Sequence, residues 1–287
     1  MSAIEHIRAD VAALPLWDGR PTFEALPGGI SNLSFVATDR SGKYVVRLTR
    51  DFPFHNVYRD REVAIARAAH ELGFAPEVVL AEPGLMISRY LEARPLTPAD
   101  AKGDIGRIVA LLQRFHREMA PFASDFLFDT FAINRDYCRQ LEGYLSAADR
   151  DRYIELNDRL EAAQVPLPRV FCHHDLLPAN ILDDGTRLWL IDFEYSGRGA
   201  PMFDLANLSS NCSFSAEDRA QLLDAFFGAP GDDVKRAHRA MEAASLLREA
   251  LWSLVSSLHI HERDVDYVGY AEVNFARMRE VMSDLSV

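Results

Sequence analysis

The chain has 287 residues, 48% hydrophobic and 26% charged, with a formal net charge of -12. That length supports a substantial core in one or two lobes, and the acidic balance argues against a nucleic-acid partner, which needs a basic footprint. Cys138, Cys172 and Cys212 are odd in number, widely spaced and without metal-ligand spacing, so neither a disulfide framework nor a metal knuckle is expected.

Residues 1–14 place Ile4, Ile7, Val11 and Leu14 at helical spacing among Glu5, Arg8 and Asp10, which predicts an amphipathic helix and not a signal peptide. No apolar run reaches the roughly 18 residues that a membrane span needs. A reducing, cytoplasmic setting is the expectation that follows. Phe23 to Leu26 is a short apolar strand. Leu33 to Thr38 and Tyr44 to Leu48 flank the polar turn Asp39-Arg40-Ser41-Gly42-Lys43, a hairpin pattern. Val57 to Leu72 has helical periodicity, stopped by Gly73. Val78 to Ala81 and Leu85 to Ser88 turn around Glu82-Pro83-Gly84 as a second hairpin.

Past Tyr90 the pattern becomes helical. Thr97-Pro98-Ala99-Asp100 reads as a capped helix start. Helices follow over roughly 98–119, 133–147 and 149–163, and again from about 202 to the end. Two strand-like runs, Arg169 to His173 and Leu188 to Asp192, interrupt them. A small sheet followed by helices predicts an α+β chain of two lobes, 1–90 and 91–287, with a cleft between them. Nothing in the sequence fixes an oligomeric state.

The chemistry-bearing segment is His173-His174-Asp175-Leu176-Leu177-Pro178-Ala179-Asn180. The apolar strand Val170-Phe171-Cys172 runs into a loop with a carboxylate, and an amide follows five residues later. Leu188-Trp189-Leu190-Ile191 then ends in a second carboxylate, Asp192, twelve residues after Asn180, within Asp192-Phe193-Glu194. Phosphoryl transfer asks for such a set. Its transition state is mostly charge spread over phosphate oxygens, so positioning and electrostatics dominate. One carboxylate accepts the alcohol proton, while another carboxylate and an amide oxygen hold hard cations.

These two loops resemble the catalytic and metal-binding loops of the aminoglycoside phosphotransferase and choline kinase superfamily, distant relatives of protein kinases. The resemblance implies a two-lobed protein-kinase-like fold, with a small N-terminal antiparallel-sheet lobe and a larger, mainly helical C-terminal lobe. It implies ATP as co-substrate and Mg2+ as cofactor, with Asp175 as catalytic base and Asn180 and Asp192 as magnesium ligands. His173 would support the loop by hydrogen bonding. Asp204, in Phe203-Asp204-Leu205-Ala206-Asn207, would cap and tie it. Gly28-Gly29-Ile30-Ser31-Asn32-Leu33 resembles the nucleotide loop of choline and ethanolamine kinases, in which Gly28 and Gly29 let a turn approach phosphates and Ser31 and Asn32 add donors. Arg47, on the strand Tyr44 to Leu48, would be the phosphate-binding cation, since arginine offers a planar fork. Its expected partner is Glu62, with Arg59 and Arg61 as surface neighbours. Backbone groups around Ile87 to Arg89 would contact adenine.

For the acceptor, Tyr195, Trp252, Tyr267 and Tyr270 resemble the aromatic residues with which choline kinases box a quaternary ammonium. Such a cation has no N–H to donate and is held by ring faces. Glu249 stands one turn before Trp252, where these kinases carry another aromatic residue, and it would also suit a primary ammonium; Glu194 is a further candidate for the cation site. The acceptor implied is choline or a similar amino alcohol such as ethanolamine. An aminoglycoside, thiamine or another alcohol on the same fold stays open, as does a non-catalytic kinase-fold binding module, although such a module has no need of metal ligands.

Overall fold

The structure, a computed structural model, describes residues 3–26, 33–122, 124–260 and 265–285. Helix α1 (Ala3–Ala12) is followed by strands β1 (Thr22–Ala25), β2 (Leu33–Asp39) and β3 (Gly42–Leu48). After helix α2 (Arg59–Glu71), β4 (Val78–Glu82) and β5 (Leu85–Arg89) complete an antiparallel sheet of order β1-β2-β3-β5-β4. The predicted turn after Asp39 is present, with Gly42 at φ 141°, a conformation that side chains rarely adopt. Register pairs Phe35 with Val46 and Ala37 with Tyr44, and these four bury with Val11 and Ile87 in one core. Strand alternation sends Arg47 to the opposite face, where its guanidinium pairs with Glu62 of α2.

Arg59 is not the surface residue its position suggests. It is buried, its Nη1 donates to Glu62 Oε2 at 2.5 Å, and its Nε donates to the Arg50 carbonyl at 2.7 Å. Gly73, at φ 74°, ends α2 where expected.

The chain divides into two compact units, Met1–Ala93 and Arg94–Val287. The second begins with β6 (Arg94–Pro95), α3 (Pro98–Gly103), α4 (Ile105–Glu118), α5 (Thr130–Gln140) and α6 (Ala147–Ala162). Four short strands follow: β7 (Val170–Cys172), β8 (Ile181–Asp183), β9 (Leu188–Leu190) and β10 (Gly197–Gly199). It ends with α7 (Pro201–Asn211), α8 (Ala216–Phe227), α9 (Asp232–His259) and α10 (Tyr267–Ser283). The single helix predicted over 98–119 is two, because the backbone leaves helical geometry at Asp104 (φ -131°), directly after Gly103. Thr97 caps α3 through a reciprocal capping box with Asp100. Helix α5 starts earlier than its periodicity indicates, since the Asp129 carboxylate accepts from the N–H groups of Phe131 and Ala132.

Helix α9 is the axis of this unit. It packs against α5, α6, α7 and α10, and it is buried on nearly every side along its middle. The whole chain is thus α+β, an antiparallel sheet unit followed by a mainly helical one. All three cysteines are free and buried. Among the described residues no helix is long and apolar enough to cross a membrane.

Candidate active site

Strand pairing brings the motif residues together. Strands β8 and β9 form an antiparallel hairpin with Ile181 opposite Leu190, and Ile191 N–H donates to the Asn180 carbonyl at 3.1 Å. The open end of this hairpin therefore sets Asn180 beside the backbone that leads into Asp192. Strand β7, which leads into Asp175, pairs with β10, which follows the Asp192 loop. His173 Nε2 donates to the Ile191 carbonyl at 3.0 Å and ties the first loop to the second. Two non-glycine residues here take left-handed backbone, His174 at φ 64° and Asp192 at φ 67°. That conformation costs of order 1 kcal/mol or more per residue and persists only where surroundings impose it.

At His174, helix α7 imposes it. Asp204, Asn207 and Asn211 recur at i, i+3 and i+7 and share one helix face. Asp204 Oδ1 accepts the His174 N–H at 2.8 Å, and Oδ2 accepts the His173 N–H at 3.0 Å and His116 Nε2 at 2.8 Å. Asn207 Oδ1 accepts the Leu176 N–H at 2.7 Å, while Asn211 Nδ2 donates to the Leu176 carbonyl at 3.3 Å. The main chain on both sides of Asp175 is thus gripped from α7. Burial alone would raise the Asp204 carboxyl, but its hydrogen bonds, led by His116, hold it down at about 2. His116, Cys172 and Asp204 lie close enough to suggest metal ligands. The carboxylate is already committed to three N–H donors, and burial pushes the Cys172 thiol well up. This cluster is a structural hub.

His174 completes the frame. Its ring stacks on Phe128 with centroids 4.1 Å apart at 11°, and its Nδ1 donates to the Tyr195 carbonyl at 3.1 Å. Burial lowers its pKa to about 4, so the imidazole is neutral. Gly199 passes directly beneath: a Cβ there would collide with His174 Nε2 and stand 3.0 Å from the Phe128 carbonyl oxygen. Only glycine permits that approach.

Asp175 is partly buried. Loss of hydration, then the charges of Glu249 and Asp192, push its carboxyl well above the usual carboxylate range, and Arg248 opposes them. Asn180 Nδ2 donates to the Asp175 carbonyl at 2.9 Å and to its carboxylate at 3.2 Å. With its nitrogen turned to Asp175, Asn180 offers its Oδ1 to a cation. Together with the Asp192 carboxylate this makes a set of hard oxygen donors of the kind magnesium takes.

The predicted acceptor residues gather on the α9 side of Asp175. Trp252 Nε1 donates to the Tyr195 hydroxyl at 2.9 Å. Tyr267 and Tyr270 meet Trp252 edge to face, with centroids 6.2 and 6.5 Å away. Tyr270 donates its hydroxyl to Glu249 Oε2 at 3.2 Å. Glu194, Tyr195 and Tyr267 are buried, whereas Glu249, Trp252 and Tyr270 keep some exposure.

In the N-terminal unit, Arg47 and Glu62 are paired as the resemblance implies. Ile87 is fully buried core, inside the ladder between β3 and β4. Arg89 is exposed, its N–H donates to the Glu77 carbonyl at 2.8 Å, and its guanidinium lies over Tyr44. Of the backbone groups expected to meet adenine, the Arg89 N–H is thus taken by Glu77. Gly28, Gly29, Ser31 and Asn32 lie outside the described residues.

A model of the phosphotransferase enzyme family matches residues 22–244. The chain belongs to this family. It transfers a phosphoryl group to an alcohol. The phosphotransferase is 31% identical to a choline/ethanolamine kinase family protein from Mesorhizobium loti, whose crystal structure matches with a TM-score of 0.79 over 97% of this chain and 94% of that one. It is 26% identical over 241 residues to the protein LicA of Haemophilus influenzae, which covers 79% of this chain and 70% of that protein. It shares its fold with the choline kinase LicA from Streptococcus pneumoniae, at a TM-score of 0.80 and 22% identity over 99% of this chain and 100% of that one.

Two features of this phosphotransferase escaped the sequence reading. Asp204 is expected to tie the loop, but Asn207 and Asn211, which continue its stripe along α7 and hold Leu176, carry no such expectation. Arg248 gave no signal at all. It is 2% exposed, its Nη1 donates to Glu249 Oε1 at 2.6 Å, and its guanidinium lies 4.5 Å from the Tyr195 ring centroid and 5.3 Å from that of Phe128. Burial by itself would lower the guanidinium pKa, but the charges of Glu249 and its neighbours carry it upward, so it stays cationic.

Proposed function

We propose that this phosphotransferase is an ATP- and magnesium-dependent kinase for choline or a similar amino alcohol such as ethanolamine. The observation that carries this reading is the composition around Asp175. Asn180 donates to its carboxylate, the charges of Asp192 and Glu249 both act on it, and Glu249 is linked to Trp252 through Tyr270. A substrate with its hydroxyl at Asp175 and its cationic nitrogen toward Glu249 satisfies both halves.

In the proposed reaction Asp175 accepts the hydroxyl proton as the alcohol oxygen forms its bond to the γ-phosphorus of ATP. The bond from that phosphorus to the β,γ-bridging oxygen breaks, and ADP leaves. A raised Asp175 pKa favours proton uptake as the alkoxide character develops. Asn180 and Asp192 would hold magnesium, which would supply positive charge to the phosphate oxygens and offset the repulsion at Asp175. Arg47, paired with Glu62, is proposed to hold phosphate, and Gly28, Gly29, Ser31 and Asn32 are proposed to add nucleotide contacts. The adenine wall is assigned to the end of β5 at Arg89, with Ile87 shaping that strand from the core. His173 and Asp204 hold the loop, and Glu194, Tyr195 and Tyr267 back the acceptor residues.

The test is a coupled ADP-release assay with magnesium and ATP across choline, ethanolamine, thiamine and kanamycin. Turnover on one of the two amino alcohols is expected. Turnover confined to kanamycin or thiamine would overturn the acceptor. ATP binding without turnover on any alcohol would point to a non-catalytic module.

A further inference from the structure

The α9 cluster already contains a cation. Arg248 is fully buried, and its guanidinium is surrounded much as a ligand ammonium would be, with two ring faces (Tyr195 and Phe128) and one carboxylate (Glu249). Its Nε and Nη2 meet no hydrogen-bond acceptor among the described residues. The recess that would suit a methylated ammonium is therefore filled by the protein's own side chain. Glu249 is fixed from both ends, Oε1 by Arg248 and Oε2 by the Tyr270 hydroxyl. Each carboxylate oxygen keeps a further lone pair, and the side chain retains 13% exposure.

We infer that Arg248 is the specificity-determining residue for the acceptor: by occupying the Tyr195–Phe128 recess and clamping Glu249, it makes the site read an ammonium through N–H donation and disfavours a fully methylated nitrogen. This rests on the amino-alcohol reading above. A primary and a quaternary ammonium carry the same charge, so repulsion from Arg248 does not separate them. They differ in what replaces their water. The primary ammonium needs fixed acceptors, which Glu249 supplies. The quaternary one needs ring faces, and here one face each of Tyr195 and Phe128 is taken. Trp252 and Tyr270 can contact either.

The experiment measures kcat/KM of the full chain with magnesium and ATP on ethanolamine and its N-methyl, N,N-dimethyl and N,N,N-trimethyl forms, the last being choline. A fall of about tenfold or more along the series is expected, the scale of one charge-assisted hydrogen bond. Arg248→Met, unbranched and compatible with an aromatic recess, is expected to close that gap by raising activity on choline. Glu249→Gln is expected to close it by lowering activity on ethanolamine. Equal or better turnover of choline by the native enzyme overturns the inference, as does an unchanged ratio in folded Arg248→Met. Should that variant not fold, the Glu249→Gln ratio and inhibition of the native enzyme by methylammonium against tetramethylammonium decide it. Stronger inhibition by methylammonium supports the inference, and stronger inhibition by tetramethylammonium overturns it. Absence of turnover on all four alcohols overturns the amino-alcohol reading and this inference with it; a flat or reversed order overturns this inference alone.

Discussion

Helices α7 and α9 both direct polar side chains toward the loop around Asp175, yet they hold different things. From α7, Asp204, Asn207 and Asn211 bind main-chain N–H and C=O groups of residues 173–176. From α9, Arg248, Glu249 and Trp252 bind other side chains, and two of those three keep some exposure. A main-chain grip fixes where Asp175 sits, whatever the substrate. A side-chain cluster decides what can sit opposite. Damage on the α7 side should therefore cost stability and all turnover together, while damage on the α9 side should redistribute activity among substrates.

The largest effect is expected at the residue both helices serve. Asp175→Asn should lower kcat by roughly 10²–10⁴-fold on every acceptor, with ATP affinity and melting temperature preserved. An unaltered kcat would assign the proton to another group. Asp204→Ala is next. It strands three buried donors, the N–H groups of His173 and His174 and the His116 imidazole, at a cost of about 3 kcal/mol or more. Denaturant unfolding should show that loss alongside lost turnover on all acceptors. A stable variant with altered substrate preference would erase the distinction between the two helices.

Acid should weaken the α7 side first. Burial lowers His174 to about 4 and His238, which contacts Ser209 of α7, to about 3. Both stay neutral in the folded chain while the unfolded chain takes up their protons near pH 6.5. Their contribution is complete above that pH, falls as the pH drops below it, and is exhausted at about 4 for His174 and about 3 for His238. It amounts to on the order of 3 kcal/mol for His174 and on the order of 5 kcal/mol for His238. Asp204, depressed to about 2, adds a further loss below the usual carboxylate range. Melting temperature should decline steadily from pH 6.5 to 4, and a flat profile would mean that these histidines are not held neutral.

The sequence-local parts of the site were the legible ones. Asp175, Asn180 and Asp192 sit at strand ends within one hairpin and its lead-in, so spacing alone predicts that they meet. The pairing of Arg47 with Glu62 follows from the resemblance, which sets a strand cation against an acid of the next helix. What was not legible depends on tertiary surroundings. Arg248 is a charged residue in an apolar helix, and only the arrival of Tyr195 and Phe128 from other elements explains its burial. Arg59 is similar: the Glu62 carboxylate, three residues on, and the Arg50 carbonyl take it out of water. Asn207 and Asn211 face backbone instead of solvent because β7 ends against α7, and no helical period conveys which neighbour a face meets. The break at Asp104 is a local event that a periodic pattern passes over.

The smallest predicted effect is the most discriminating. Tyr270→Phe removes the hydroxyl that holds Glu249 Oε2 at 3.2 Å and leaves the ring that meets Trp252 edge to face. Tyr270 keeps some exposure, so water can replace the lost donor and the net cost should be about 1 kcal/mol, or roughly a fivefold change. Because Arg248 still holds Oε1, Glu249 stays nearby but swings more freely. The expected result is a severalfold rise in KM for ethanolamine, a smaller change in kcat, little change for choline and a preserved melting temperature. A stability loss like that of Asp204→Ala, or an equal KM rise for both alcohols, would make the α9 and α10 side chains scaffold of the same kind as α7, and the contrast between gripping a loop and reading a substrate would fail.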